Sequence, residues 1–70
     1  MKVFLVIYAA GQIMSTESPP NMSMVDCEMR VAFLEMEQAL ILMDEALKQT
    51  PEATRNADAV RDLTFACETG

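Results

Sequence analysis

The stretch Ser23–Gln49, SMVDCEMRVAFLEMEQALILMDEALKQ, decides the fold. It contains no Gly, no Pro and no β-branched run, so intrinsic propensity favours helix from end to end. Ser23 can accept hydrogen bonds from the free N–H groups of the first turn. Asp26, three residues on, completes an approximate capping box and places negative charge at the positive end of the helix dipole. Lys48 occupies the last turn, and Thr50-Pro51 halts propagation. The helix is apolar on two separate faces. One face runs Val25, Met29, Ala32, Met36, Ala39, Leu40, Met43 and Leu47. The other runs Met24, Cys27, Val31, Leu34, Ile41 and Leu42 and is interrupted by Gln38. At about 100° per residue, two narrow polar strips separate them. Asp26, Arg30, Glu37, Asp44 and Lys48 form one strip, and Glu28 with Glu35 form the other. A surface helix in a small monomer needs one apolar face, so the second face implies self-association.

Seventy residues, 51% of them hydrophobic, make a single domain, residues 1–70, near the size at which one core barely suffices. The net charge is −6 and the carboxylates are scattered. An acidic surface argues against direct binding of nucleic acid and suits a basic protein partner. There is no His, so the usual neutral-pH general base and the commonest metal ligand are both missing. Ser15, Thr16 and Ser23 have no base to activate them. The Glu28/Glu35 and Glu37/Asp44 pairs read as solvated helix surface rather than a desolvated carboxylate site. These features point to no enzyme, no cofactor and no metal.

On the N-terminal side, Met1–Tyr8 (MKVFLVIY) reads as a strand buried on both faces. Val3, Leu5 and Ile7 lie on one face, and Phe4, Val6 and Tyr8 on the other. A signal peptide is the competing interpretation, with Lys2 as a short basic region and Ala9-Ala10-Gly11 as a cleavage-like stretch. The apolar run is too short to span a membrane. Gly11 marks a turn, and Gln12–Glu17 returns as a second strand. Ser18-Pro19-Pro20-Asn21 breaks before the helix. After it, Pro51–Asp58 is polar and reads as loop with at most a short helical turn. Arg61–Glu68 alternates, with Leu63, Phe65 and Cys67 on one side. The expected fold is therefore α+β: β-β-α-β, one long helix on a three-stranded antiparallel sheet whose first strand is central.

Cys27 and Cys67 allow three states: two free buried thiols, an internal bridge, or an inter-chain bridge. An internal bridge would close a loop of about 40 residues and contribute about 3–4 kcal/mol. Seven methionines, mostly on the helix, serve either as core filling or as an adaptable binding surface at Met29, Met36 and Met43. The expected homodimer interface is Met29, Ala32, Met36, Ala39 and Met43. The alternative dimer surface is the open back of the sheet.

The opening MKVFLVIY, the turn at Gly11, the helix beginning around Asp26-Cys27-Glu28 and the closing Phe65-Ala66-Cys67-Glu68 resemble small bacteriophage proteins. That group includes anti-CRISPR inhibitors of type I interference complexes. The resemblance implies a non-catalytic inhibitor in the host cytoplasm that binds a host complex and blocks its access to DNA. Its partner would be a host protein complex with a basic DNA-binding surface. On charge alone, Glu28 and Glu35 are the first choice for that contact and Glu37 and Asp44 the second. Alternatives are a small oligomerising accessory protein and an exported, disulfide-stabilised domain.

Overall fold

The structure is a computed structural model that describes all residues, Met1–Gly70. Five elements follow in order: β1 (Val3–Ala9), β2 (Gln12–Glu17), α1 (Met24–Lys48), α2 (Pro51–Val60) and β3 (Leu63–Thr69). The sheet order is β2-β1-β3, and both pairings are antiparallel. The α+β class, the central first strand and the single long helix on a three-stranded sheet are as the sequence predicts. The interval between α1 and β3 is not: Pro51–Asp58 belongs to a second helix, so the order is β-β-α-α-β.

Local chemistry explains each element. Ala10 (φ 51°) and Gly11 (φ 82°) both adopt left-handed backbone between paired Ala9 and Gln12. Two consecutive positive φ values make the tight hairpin turn whose twist matches the strands. At the start of α1 both capping-box bonds form: the Asp26 N–H donates to Ser23 Oγ (3.0 Å), and the Ser23 N–H donates to the Asp26 carboxylate (3.1 Å). Gln49 ends α1 in the left-handed conformation, its N–H donating to the Glu45 carbonyl. Thr50 then caps α2, accepting from the Ala53 N–H at 3.1 Å, with Pro51 in the first turn. Thr50-Pro51 thus ends one helix and begins the next.

Lengths explain why α2 exists. A 25-residue helix is about 37 Å long, whereas a seven-residue strand spans about 23 Å. The last turns of α1 overhang the sheet by about 15 Å, the length of a ten-residue helix. α2 covers that overhang with Ala53 and Ala57, both buried and one turn apart. Small side chains let the two helices approach closely. Gln38, the polar interruption of the inner face, is satisfied there: its Nε2 donates to the Val60 carbonyl (2.6 Å) and the Leu63 carbonyl (2.9 Å), pinning the α2–β3 junction to α1. Arg61 fixes the same corner through Glu45 (2.9 Å) and Asp58 (3.2 Å).

The core is thin. Only Leu5, Val6, Cys27, Ala53 and Ala57 are buried. Leu5 and Cys27 meet where α1 crosses the sheet, opposite Cys67, which pairs with Leu5 in the β1–β3 register. Cys27 and Cys67 form an internal disulfide across 40 residues, Cα–Cα 6.0 Å. This corrects the free-thiol and inter-chain alternatives. The last strand runs back along α1, bringing its end to the helix's beginning. β1 is the middle strand of the sheet and carries Leu5, the most enclosed side chain of the sheet.

Candidate protein-interaction surface

The outward face of α1 is the most unusual surface of the molecule. Val25, Met29, Phe33, Met36, Leu40, Met43 and Leu47 are each more than half exposed. On the helical wheel they centre about 180° from Cys27, Leu34, Gln38 and Ile41, the side turned toward the sheet and α2. The stripe therefore points directly away from the core. It repeats every seven residues in three parallel rows: Met29/Met36/Met43, Ala32/Ala39/Ala46 and Phe33/Leu40/Leu47. A seven-residue apolar period is the pattern by which helices pack side by side in coiled pairs. The alanine row leaves room for close approach, and the methionine row is adaptable. The five expected interface residues, Met29, Ala32, Met36, Ala39 and Met43, all lie on it. Phe33 and Ala46 belong to it as well and were not among the expected residues. The seven-residue spacing of Phe33 with Leu40 and Leu47 was the signal for the first.

The four candidate carboxylates do not form one patch. Glu28 and Glu35 stand on the flank of α1 that overlooks β3, beside Met24, Val31, Ala32, Phe65, Ala66 and Cys67. Neither has a basic partner within ion-pair distance; the four ion pairs of the structure use Glu17, Asp44, Glu45 and Asp58. Glu37 and Asp44 lie on the opposite flank. Asp44 is neutralised by Lys48 at 3.2 Å, one helical turn away. Arg30 on that flank reaches toward Glu17 of β2 at 4.0 Å, not toward Glu37. The field of the Glu28/Glu35 flank is thus the less cancelled of the two.

The back of the sheet is less open than its lack of cover suggests. Val6 is buried there between half-buried Phe4 and Tyr8. The Tyr8 hydroxyl donates to the Glu68 carboxylate on β3. That bond, helped by partial desolvation and the carboxylate's charge, raises the Tyr8 pKa above its ordinary value. Ile13 is the exposed apolar residue at its margin.

No group of three or more His, Cys, Asp or Glu side chains comes together in a way that could hold a metal ion. No helix is long and apolar enough to cross a membrane. Comparison with the models of known protein families, with curated proteins and with solved structures finds no match for this chain.

Proposed function

We propose that this protein is a non-catalytic binding protein that assembles as a homodimer through the outer face of α1 and presents an acidic flank to a basic partner. The observation that carries this reading is the apolar stripe opposite the core. Seven large side chains offering about 100 Å² each amount to roughly 700 Å², beyond what a soluble monomer usually leaves contiguous. That area is close to the ~800 Å² per partner of a standard interface. A second copy of α1 brings the same seven-residue rows, so a two-fold pairing covers the stripe on both chains.

Light scattering at micromolar concentration tests the assembly. The wild type is expected at twice the 7.8 kDa chain mass. Met36→Glu, in the middle of the methionine row, is expected at the single-chain mass with unchanged circular dichroism, because an unpaired carboxylate buried at the interface costs several kcal/mol. A wild-type monomer would overturn the dimer. A Met36→Glu dimer would move the interface to the back of the sheet.

The acidic flank supports the second half of the reading. Glu28 and Glu35 project from one side of α1 without neutralising partners, so they would steer a basic surface and act chiefly on association rate. The narrower form, a bacteriophage-type inhibitor holding a host interference complex off DNA in the cytoplasm, rests on the resemblance of the opening strand, turn and closing strand. One observation favours a different compartment. The Cys27–Cys67 bridge is of the kind that persists in oxidising surroundings, which suits an exported, disulfide-stabilised binding domain. The thiol state of protein recovered from its native cell, trapped with an alkylating reagent, separates the two. Alkylated Cys27 and Cys67 place it in a reducing cytosol, and unmodified cysteines place it outside.

A further inference from the structure

The two edges of the sheet are treated differently. The outer edge of β2 is disturbed by an extra residue, Met14, between the Ile7–Ser15 and Tyr8–Ile13 pairs, and the strand runs out into Pro19-Pro20. Bulges and prolines are ordinary ways of blocking a sheet edge. The outer edge of β3 has neither. Its seven residues, LTFACET, pair with β1 without a register shift and include no Lys and no Pro.

The direction of its free backbone groups follows from the ladder. Lys2 and Gly70 exchange both backbone hydrogen bonds (3.1 and 3.0 Å), and the Ala10 N–H donates to Asp62 at 3.3 Å. In an antiparallel pair, residues that bond across the ladder alternate with residues whose N–H and C=O point away from it. In β3 the even-numbered residues therefore bond to β1, and Leu63, Phe65, Cys67 and Thr69 turn their groups outward. The Leu63 carbonyl is taken by Gln38. The outward groups of Phe65 and Cys67 have no partner in the chain. They border a groove of about 460 Å³ between β3 and α1, walled on the helix side by Val31, Ala32, Glu28 and Glu35.

We propose that this groove takes an extended, basic segment of a partner protein as a fourth strand on β3, its backbone bonded to Phe65 and Cys67 and its cationic side chains set against Glu28 and Glu35. Charge chooses the occupant. A second copy of this chain added edge to edge would bring its own Glu28 and Glu35 against the first pair. A basic strand removes that repulsion and neutralises both carboxylates. Spacing sets the pattern. Glu28 and Glu35 are about 10 Å apart along α1, and groove-side residues of a strand recur every ~6.7 Å. Two basic residues four apart, ~13 Å from each other, bracket the pair and reach inward to it with their long side chains, while an apolar residue midway rests over Val31 and Phe65. This mode of recognition is strand addition, in which main-chain bonds supply affinity and alternate side chains supply selectivity.

The inference rests on the basic-partner reading above, and its test separates the two. The probe is the capped peptide Thr-Lys-Thr-Val-Thr-Lys-Thr, titrated into the wild-type protein beside the same peptide N-methylated on the amides that face β3. Methylation removes strand donors and leaves charge untouched. Strand addition predicts about tenfold weaker binding of the methylated peptide. It also predicts slowed hydrogen exchange at the Phe65 and Cys67 amides with the unmethylated one. Glu28→Gln combined with Glu35→Gln is expected to weaken the unmethylated peptide several-fold and to flatten its salt dependence. Equal binding of both peptides, weakened in both by the Gln variant, overturns strand addition and leaves the acidic-flank reading standing. No binding of either peptide overturns the inference, as does a Met36→Glu protein that remains dimeric with its Phe65 and Cys67 amides already protected. The assembly of wild-type protein is read independently by its mass.

Discussion

The two faces of α1 are both apolar in the sequence and have opposite fates in the fold. The inner face, Cys27, Val31, Leu34, Gln38 and Ile41, is held by a disulfide, by the sheet and by two hydrogen bonds from a single amide. The outer face is larger in side-chain volume and meets only solvent. Hydrophobicity by itself does not choose which face goes inside. The choice falls to the face that also carries the residues able to make specific links, a thiol opposite a thiol and an amide opposite two carbonyls. The other face is then left exposed.

Breaking the inner face should have the largest effect. Cys27→Ser with Cys67→Ser opens a 40-residue loop and is expected to cost about 3–4 kcal/mol. In a chain this short that is a fall on the order of 15 °C or more in melting temperature. Reductant should lower the wild type by a similar amount and leave the double variant unmoved. Equal behaviour of the two proteins in reductant and oxidant would remove the bridge from the account. Gln38→Ala comes next. It leaves the Val60 and Leu63 carbonyls without their shared donor and should cost about 1–3 kcal/mol, read by denaturant titration. Met36→Glu, on the outer face, should leave the stability of the folded single chain within about 0.5 kcal/mol while abolishing assembly. A large loss of chain stability from Met36→Glu would show that the outer face is core after all.

The smallest effect sharpens the same comparison on the far side of the sheet. The Glu68 carboxylate accepts from the Tyr8 phenol and raises its pKa. A group whose folded pKa lies above its unfolded value adds stability that is fully present below the unfolded value and fades as pH rises through the folded one. The Tyr8–Glu68 contribution is thus intact at neutral pH and lost only in the alkaline range above the ordinary phenol pKa. Ultraviolet titration of the single tyrosine should show a midpoint above that of a free phenol, moving back toward it in Glu68→Gln. A wild-type midpoint at the ordinary value would mean that the bond does not persist in solution.

Much of this architecture is written in local signals. Ser23 and Asp26 define the start of α1, the Ala10-Gly11 pair defines the hairpin, and the two-sided apolarity of Met1–Tyr8 marks a central strand. Those features depend on neighbouring residues and backbone sterics, which a sequence displays directly. α2 escapes such reading because PEATRNADAV has few apolar residues. Its two buried positions are alanines, whose value lies in how closely they let another helix approach, and that is a property of the pair. Gln38 is similar: a polar residue on an apolar face looks like a fault until the α2–β3 corner brings two carbonyls to it.

The sequence by itself determined the class of fold, the limits of α1 and the existence of two apolar faces, because these follow from propensity, caps and periodicity within a few residues. Only the tertiary structure decided which face is inside, that Cys27 meets Cys67, and that β3 keeps an open edge beside Glu28 and Glu35. Each of those depends on where a strand some 40 residues further along the chain returns against the helix. That return is set by the mismatch between a helix of about 37 Å and strands of about 23 Å, and by the second helix that fills the difference.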